Sequence, residues 1–293
     1  MAATAIRPKP RSGGFPEEAR GIDAQALARA LAGRVQGEVR FSHGSRALYA
    51  NDASVYRQLP IGVVLPKTVE DVVATVETCR EHGAPIFGRG CGTGLAGQSV
   101  NVAVLVDFSK YLKEIVEIDW DRRVARVQPG IVLDRLREKA EERNLTFGPD
   151  PATHTRCTLG GMIGNNSCGV HSIMAGVTAD NIDALDVVLY DGTLLHLKSS
   201  YEDDELRGIV EQGDRFGSIV RDLLAIRDRY ADLIHERYPQ IPRRISGYNL
   251  DRLLPEQGFN LAAALVGSES ARIISKRSRA RPRVECFSSI VTW

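Results

Sequence analysis

The chain contains 293 residues, of which 43% are hydrophobic and 26% are charged, and its formal net charge is +1. These values are typical of a globular protein with one large domain or two small ones. Neither an N-terminal apolar segment nor an apolar run long enough to span a bilayer is visible. We therefore expect a cytoplasmic protein, peripheral to the membrane at most through a partner.

The part of the chain before residue 60 has two compositions. Residues 1–20 are rich in Pro, Gly, Ala and charged side chains, so a disordered lead-in is expected there. Residues 21–59 are expected to form an N-terminal helical extension, with a short helix over 24–35 followed by an irregular but ordered segment.

From residue 60 onwards, strands and helices are mixed without strict βαβ alternation. Apolar, β-rich runs predict six strands, over 61–65, 85–87, 102–108, 124–128, 185–190 and 193–197. Asp191-Gly192 predicts a hairpin between the last two strands. Apolar residues at helical spacing predict three further helices, over 69–82, 130–143 and 217–238.

A glycine-rich loop, FGRGCGTGLAGQ, occupies residues 87–98. Three of its glycines match the G-x-G-x-x-G motif of dinucleotide-binding folds, but that motif requires a helix directly afterwards, whereas a strand pattern follows here. A P-loop is excluded because no Gly-Lys-Ser/Thr follows. Glycines can still arrange successive backbone N–H groups as a phosphate nest, and a glycine-rich turn between two strands is equally compatible.

A second segment of small residues, CTLGGMIGNNSCG, occupies residues 157–169, shortly after the Pro-Asp-Pro sequence at 149–151. By itself it is compatible with a close-packed helix start. Two such segments in one domain favour a long ligand that lies against the backbone.

Six ordered motifs then carry a family resemblance: VVLPKTVEDVVATV, GRGCGTGLAGQ, VQPGIVLDRL, GPDPATHTRCTLGGMIGNNSCG, AGVTADNIDALDVVLYDG and ALVGSE. Together they resemble the PCMH-type FAD-binding domain of the vanillyl-alcohol oxidase / p-cresol methylhydroxylase superfamily. The pattern is similar to that of the bacterial FAD-linked D-2-hydroxy-acid dehydrogenases, the glycolate oxidase and D-lactate dehydrogenase group.

The resemblance implies an α+β fold of two α/β subdomains with FAD between them. It also implies oxidation of a D-2-hydroxy acid of the lactate, glycolate or 2-hydroxyglutarate type to the 2-oxo acid, with hydride transfer to flavin N5. The stretches RCTLGGMIGNNSCGVHS and RRISGYNLDRLLPEQGFN resemble a large subgroup that carries a cap domain and an iron–sulfur domain. The implied partner is an electron acceptor or an iron–sulfur domain or subunit. An FAD-binding module without turnover, or a reductase of the same fold, is the alternative.

The resemblance also implies the cofactor contacts. The pyrophosphate is expected on the backbone N–H groups of Gly90, Cys91, Gly92, Thr93 and Gly94. The flavin and its ribityl chain are expected to be lined by Pro149, Asp150, Thr158, Gly160, Gly161, Asn165 and Ser167, with Gly176, Asn181 and Ile182 near the pyrophosphate or adenine. Arg89 is expected to pair with a phosphate or with an internal carboxylate. Relatives with covalent flavin often carry a histidine at the position of Thr93, so noncovalent FAD is expected. No catalytic residue is assigned.

Metal, disulfide and nucleic-acid functions are not expected. The chain has five cysteines, with no pair at C-x-x-C spacing, and it has no H-x-H or H-x-x-x-H pair. The C-terminal residues are basic, but no aromatic stacking platform accompanies them.

The resemblance breaks after Glu269. The family's closing motif continues as Gly-Ser-Glu-Gly-Thr and an apolar strand, whereas residues 270–293 contain six Lys/Arg and one acid. We therefore expect an aberrant basic tail over 270–293 and an incomplete FAD-binding domain over 60–269, the product of a truncated or frameshifted gene without its C-terminal part and cap domain. A natural short protein with a basic tail is the alternative. Loss of the closing strand is expected to leave an open sheet edge.

Overall fold

The computed structural model describes residues 21–245, 247–269 and 284–292. The predicted lead-in over 1–20 and the first 14 residues of the predicted tail, 270–283, lie outside the described residues. The described part contains two β-sheets with helices packed against them, which confirms the expected α+β class.

The first sheet has four strands in the order β1 (Glu38–Arg40), β2 (Gly62–Leu65), β4 (Val104–Asp107) and β3 (Ile86–Arg89). β1 is antiparallel to β2, whereas β2, β4 and β3 are parallel. All residues of β2 and β4 are buried, as is usual for parallel strands that are covered on both faces. The N-terminal extension therefore contributes a strand to this sheet in addition to its helices α1 (Ala24–Arg34) and α2 (His43–Leu48).

Helix α3 (Val69–Glu81) connects β2 to β3 and packs against α1. Thr68 caps its first turn, because the Thr68 hydroxyl accepts a hydrogen bond from the Asp71 N–H at 3.2 Å. Leu27 and Leu31 of α1 meet Val72 and Val76 of α3 in one buried cluster. The predicted helix over 69–82 is confirmed.

The second sheet is antiparallel throughout, with strand order β5, β6, β9, β7 and β8. Its strands are β5 (Ile115–Asp119), β6 (Val124–Val127), β7 (Ile182–Leu189), β8 (Leu194–Lys198) and β9 (Val284–Thr292). The helices of this half are α4 (Leu133–Glu141), α5 (Leu159–Asn165), α6 (Ser172–Ala175), α7 (Asp203–Glu211), α8 (Arg215–Arg237) and α9 (Leu261–Leu265). A large apolar cluster that includes Leu136, Phe147, Leu159 and Leu185 joins the sheet to these helices.

The predicted hairpin is confirmed, since β7 and β8 flank the turn at Asp191-Gly192, where Gly192 has a φ of +88°. The predicted helix over 217–238 corresponds to α8, which begins after the cap residue Asp214. β5 was not predicted, because its residues are half-buried or exposed and form no apolar run.

The expected open sheet edge is wrong. Residues Val284–Thr292 form β9, which lies between β6 and β7 and pairs with both. The sequence of this strand, VECFSSIVT, is rich in β-branched residues that favour extended backbone. Without it, β6 and β7 would each expose a row of unpaired N–H and C=O groups, so the pairing satisfies two edges at once.

Candidate functional site

A cleft lies where the loop after β3 faces α5. The two segments of small residues line it, with residues 87–94 on one side and residues 157–165 on the other. Residues Leu265, Ser268 and Glu269 complete the wall, and the empty volume, which is open to solvent, is about 1180 Å³. The structure thus brings together two segments that are about 70 residues apart in the chain, as the sequence predicted for a long ligand.

Close packing explains several of the glycines in these segments. A Cβ built on Gly90 would lie 2.1 Å from the Thr158 hydroxyl, and one built on Gly160 would lie 2.9 Å from the Pro129 carbonyl oxygen. Gly92 has a φ of +66°, and a Cβ there would lie 2.7 Å from the Arg89 guanidinium. Gly90 therefore allows the loop to approach the start of α5, Gly160 allows α5 to approach Pro129, and Gly92 leaves room for the Arg89 side chain, apart from any ligand in the cleft.

The same loop presents a row of free backbone donors. Between Gly90 and Leu95, no backbone N–H donates a hydrogen bond to any other group among the described residues. The next residue along, Ala96, donates its N–H to the Gln98 side chain at 3.0 Å. Successive N–H groups in a turn, or in residues that alternate between right-handed and left-handed helical conformations, form the anion-binding concavity known as a nest.

The Arg89 guanidinium bonds to backbone carbonyls and forms no ion pair with a carboxylate among the described residues. Its guanidinium donates to the carbonyl oxygens of Tyr49 (3.0 Å), Ser99 (3.1 Å) and Asn51 (2.7 Å). Burial lowers the pKa of Arg89, while the nearby carboxylates Asp107 and Asp52 act in the opposite direction. Arg89 therefore ties the glycine loop to the segment before β2.

The residues predicted beside the flavin, and those predicted near the pyrophosphate or adenine beyond the glycine loop, fall into two groups. Thr158, Gly160, Gly161, Asn165 and Ser167 all line the cleft. Thr158 caps α5 by accepting the Gly161 N–H at 3.3 Å, and the Ser167 hydroxyl donates to the side-chain oxygen Oδ1 of Asn165 at 2.6 Å.

The second group, Pro149, Asp150, Gly176, Asn181 and Ile182, lies outside the lining of this cleft. The Asp150 carboxylate pairs with Arg137 at 2.9 Å and with His171 at 2.8 Å. The Asn181 amide donates to two backbone carbonyls, those of Ala175 and Val177. Contact of these five residues with a cofactor stays a prediction.

The cleft also contains residues that sequence reasoning did not select. Gln98 lines it at the end of the glycine loop, and a Cβ on Gly94 would lie 2.8 Å from the Gln98 side chain. Cys157 lines it as well, and burial raises the pKa of its thiol to about 11. Gln98 lies in the glycine-rich loop and Cys157 lies in the second segment of small residues. Their membership of these segments was the signal by which the sequence could have indicated them.

Two histidines near these segments, His154 and His171, each have a carboxylate partner, which indicates a structural role for their side chains. His154 lies 2.7 Å from an Asp134 carboxylate oxygen, and His171 is held by Asp150 as described above.

Within residues 21–245, 247–269 and 284–292, no group of three His, Cys, Asp or Glu side chains has the arrangement of a metal site. No helix in those ranges is both long and apolar enough to cross a bilayer.

Comparisons with known proteins agree with this geometry. Residues 60–198 match the model of the FAD binding domain family. A D-2-hydroxyglutarate dehydrogenase of Pseudomonas putida is 35% identical over 240 residues, which cover 80% of this chain and 24% of that protein. The glycolate oxidase subunit GlcD of Escherichia coli is 37% identical over 148 residues, which cover 50% of this chain and 30% of that protein.

A similar fold is found in the solved structure of an alkyldihydroxyacetonephosphate synthase. The match covers 92% of this chain and 40% of the synthase chain, with a TM-score of 0.61 and 16% sequence identity. The match to the D-2-hydroxyglutarate dehydrogenase spans about a quarter of that relative's length.

Proposed function

We propose that the cleft holds FAD for the oxidation of a D-2-hydroxy acid to the 2-oxo acid, because residues 60–198 match the model of the FAD binding domain family. The observation that carries the proposal is the row of unpaired N–H groups from Gly90 to Leu95. Unpaired donors that line a cleft are the expected partners of phosphate oxygens, and FAD contains a pyrophosphate.

The proposed contacts follow from the position of the two segments. The N–H groups of Gly90 to Gly94 would hold the pyrophosphate, while Thr158, Gly160, Gly161, Asn165 and Ser167 would lie along the flavin and ribityl chain. Pro149 and Asp150 would also lie beside the flavin and its ribityl chain, whereas Gly176, Asn181 and the backbone of Ile182 would lie near the pyrophosphate or adenine. When bound, FAD would accept the hydride at flavin N5.

We propose that the cofactor is bound without a covalent bond. Thr93 lines the cleft at the position where relatives with covalent flavin often carry histidine. A threonine hydroxyl lacks the imidazole nitrogen through which that bond is made.

The substrate class and the partner rest on the similar proteins. Relatives named D-2-hydroxyglutarate dehydrogenase and glycolate oxidase subunit support a small 2-hydroxy acid as substrate. A relative named as a subunit supports a partner protein, and we propose that this partner accepts the electrons. We place the chain in the cytoplasm, since Cys91, Cys157 and Cys168 form no disulfide among the described residues, as is usual in a reducing compartment.

A second candidate is an FAD-binding module without turnover. The share of the relatives' length that this chain matches, 24% for the Pseudomonas putida protein, favours it. Both candidates place FAD in the same cleft, but only the first requires that this chain positions and oxidises a substrate.

One experiment separates the candidates. The purified chain is loaded with FAD, denatured and filtered, and a second sample is assayed for dye reduction with D-lactate, glycolate and D-2-hydroxyglutarate. Release of FAD into the filtrate together with hydroxy-acid-dependent dye reduction supports the enzyme. Release of FAD without dye reduction supports the module. Flavin that stays on the denatured chain contradicts noncovalent binding, and a chain that takes up no FAD contradicts both candidates.

A further inference from the structure

A second opening adjoins the FAD cleft, and we call it the side cleft. Its lining includes Tyr56, Arg57, Gln98, Asn101, Tyr248 and Glu269, and its empty volume, open to solvent, is about 1290 Å³. Gln98 and Glu269 line both openings. A molecule in the side cleft would therefore lie next to whatever occupies the FAD cleft.

Arg57 gives the side cleft a free positive charge. Its side chain is exposed, and its guanidinium makes no hydrogen bond or ion pair with any described residue. Arg89, which lines the neighbouring cleft, is instead engaged by three backbone carbonyls. A free guanidinium in a cleft is a ready partner for a carboxylate, which it can bind through two parallel hydrogen bonds.

The backbone that carries Arg57 is held firmly against the glycine loop. The Gln58 N–H donates to the Ala50 carbonyl at 3.0 Å, and residues 51 and 57 form an antiparallel bridge across the turn. The Ala53 N–H donates to the Gly92 carbonyl at 3.0 Å. Since the turn is fixed on the loop, binding through Arg57 requires ordering of one side chain only, which lowers its entropic cost.

Two further contacts fix the same turn. The Ser99 hydroxyl donates to the Asp52 carboxylate at 2.7 Å. The ring of Tyr56 lies over Gly97, where a Cβ would be only 2.5 Å from it. Gly97 has a φ of +77°, so a side chain at this position would be disfavoured by backbone strain as well as by the ring.

Hydrogen-bond acceptors accompany the cation. Asn101 is 7% exposed, and its carbonyl oxygen Oδ1 has no hydrogen-bond partner among the described residues. The exposed carboxylate of Glu269 lines the same opening. A buried acceptor without a donor is costly, so a donor supplied by a ligand would be favourable there. The side cleft thus suits a small molecule that has both a carboxylate and a hydrogen-bond donor.

We propose that the side cleft is the substrate subsite and that Arg57 binds the carboxylate of the 2-hydroxy acid, while the substrate hydroxyl donates its one proton to Asn101 Oδ1 or to the Glu269 carboxylate. This inference rests on the proposed function, because it places the substrate beside the FAD cleft. An amino acid would offer the same carboxylate with an ammonium group as donor, and the experiment must distinguish the two.

The test uses a probe that the proposed reaction cannot consume. 2-Hydroxyisobutyrate has the carboxylate and hydroxyl of the substrate class but no hydrogen on Cα. Its dissociation constant is measured by calorimetry on the FAD-loaded chain and on Arg57→Ala and Arg57→Lys, with the FAD content of each recorded from its absorbance. Arg80→Ala is the matched control, because Arg80 is exposed in the last turn of α3, outside both clefts.

We expect Arg57→Ala to weaken binding of the probe about tenfold or more, as for loss of a hydrogen bond to a charged group. Arg57→Lys should recover part of the loss, and Arg80→Ala should bind as the unaltered chain does. 2-Hydroxyisobutyramide, which lacks the negative charge, should bind more weakly to the unaltered chain and should not respond to Arg57→Ala.

Three results would overturn the inference while leaving the proposed function intact. They are an FAD-loaded chain that does not bind the probe, probe affinity that is unchanged in Arg57→Ala, and tighter binding of 2-aminoisobutyrate than of 2-hydroxyisobutyrate. A chain that holds no FAD would contradict the proposed function itself, so the two failures are distinguishable.

Discussion

At the scale of single residues, the glycines of the loop after β3 have two separate reasons to lack a side chain. Gly90 and Gly92 are required by contacts within the protein, with Thr158 and with Arg89. The same residues begin the row of N–H groups that no described residue accepts. Internal packing and ligand binding therefore select the same residue type here, and a substitution tests both together.

We predict that Gly92→Val abolishes retention of FAD. The new side chain would force a β-branched residue into a φ of +66° and would meet the Arg89 guanidinium, so the loop would move and the row of N–H groups would be broken. The flavin content of the purified variant, measured by absorbance, checks this.

Gly83→Ala is the matched control for that variant. Gly83 also has a positive φ, +64°, but a Cβ there would meet no atom within 4 Å. It should lose about 1–2 kcal/mol of stability from backbone strain while keeping its FAD. FAD retention by Gly92→Val equal to that of Gly83→Ala would refute the phosphate-loop assignment.

At the scale of elements, β1 is joined to the first sheet by side chains as well as by its strand pairing. The Glu38 carboxylate accepts hydrogen bonds from the Lys110 ammonium, from the Tyr111 hydroxyl at 2.6 Å and from Arg40 Nε at 2.8 Å. These bonds, with that of Lys110 the strongest, lower the pKa of Glu38 to about 2. Glu38 thus fastens the N-terminal strand to the turn that follows β4.

The lowered pKa of Glu38 predicts a pH dependence of stability. A carboxyl with a native pKa near 2 and an unfolded pKa near 4.5 stabilises the protein above about pH 4.5, and this contribution is lost as the pH falls towards 2. Glu38→Gln should therefore have a lower melting temperature than the unaltered chain at pH 7. This difference in melting temperature should shrink as the pH falls from 4.5 to 2. Thermal unfolding over this range measures it.

Glu142→Gln serves as the control for Glu38→Gln. Glu142 pairs with Lys139 at 2.7 Å in an exposed contact on one helix, and such pairs contribute little. If the difference in melting temperature between Glu38→Gln and the unaltered chain stays constant from pH 7 to pH 2, the role assigned to Glu38 is contradicted.

β9 is the element on which the second sheet depends, because it pairs on both sides. Ile290 lies opposite Arg126 of β6 and opposite Ala184 of β7. We predict that Ile290→Pro destabilises the chain by roughly 1–3 kcal/mol or more, since proline cannot donate to the ladder and leaves a backbone acceptor unpaired. Urea unfolding provides the measurement.

Ile290→Thr keeps the backbone N–H and a β-branched side chain, so it should retain more stability than the proline variant. Equal stability of Ile290→Pro and the unaltered chain would show that the pairing of β9 with β6 and β7 contributes nothing to the fold in solution.

At the scale of the whole molecule, the two sheets are in contact, because Val188 of β7 packs into the buried cluster of the first sheet. The Tyr190 hydroxyl donates to the Ala84 carbonyl at 2.9 Å, which links the hairpin of the second sheet to the start of β3. The loop after β3 and helix α5 belong to different sheets and form opposite walls of the cleft. A ligand that contacts both walls therefore joins the two halves.

We predict that FAD stabilises the whole chain. At a free concentration one hundred times its dissociation constant, a ligand that binds only the folded state adds about 2.7 kcal/mol. For a protein of this size that corresponds to a rise in melting temperature of roughly 5–10 °C. Thermal unfolding with FAD and with riboflavin measures it, and riboflavin, which lacks the pyrophosphate, should have the smaller effect. An equal effect of both would contradict pyrophosphate binding at the loop.

Several helices and strands were predictable because their signals are local, although α5, which forms one wall of the cleft, was not among the predicted helices. Period-2 and period-3.6 apolar patterns, the cap at Thr68 and the Asp191-Gly192 turn each depend on a few neighbouring residues, and the structure contains the elements that they predict. The two glycine-rich segments were likewise recognisable, because small residues in succession indicate close backbone approach wherever they occur.

The amino-acid sequence by itself therefore determined the fold class, the two segments that line the cleft and the match of residues 60–198 to the FAD binding domain family. Only the tertiary structure decided the partners of Arg89, which lie up to 40 positions away in the chain, the insertion of β9 between two earlier strands and the position of Arg57 beside the cleft. The physical reason is that these features are contacts between distant segments. Such contacts leave no periodicity in the sequence, and packing selects them only after the local elements have formed.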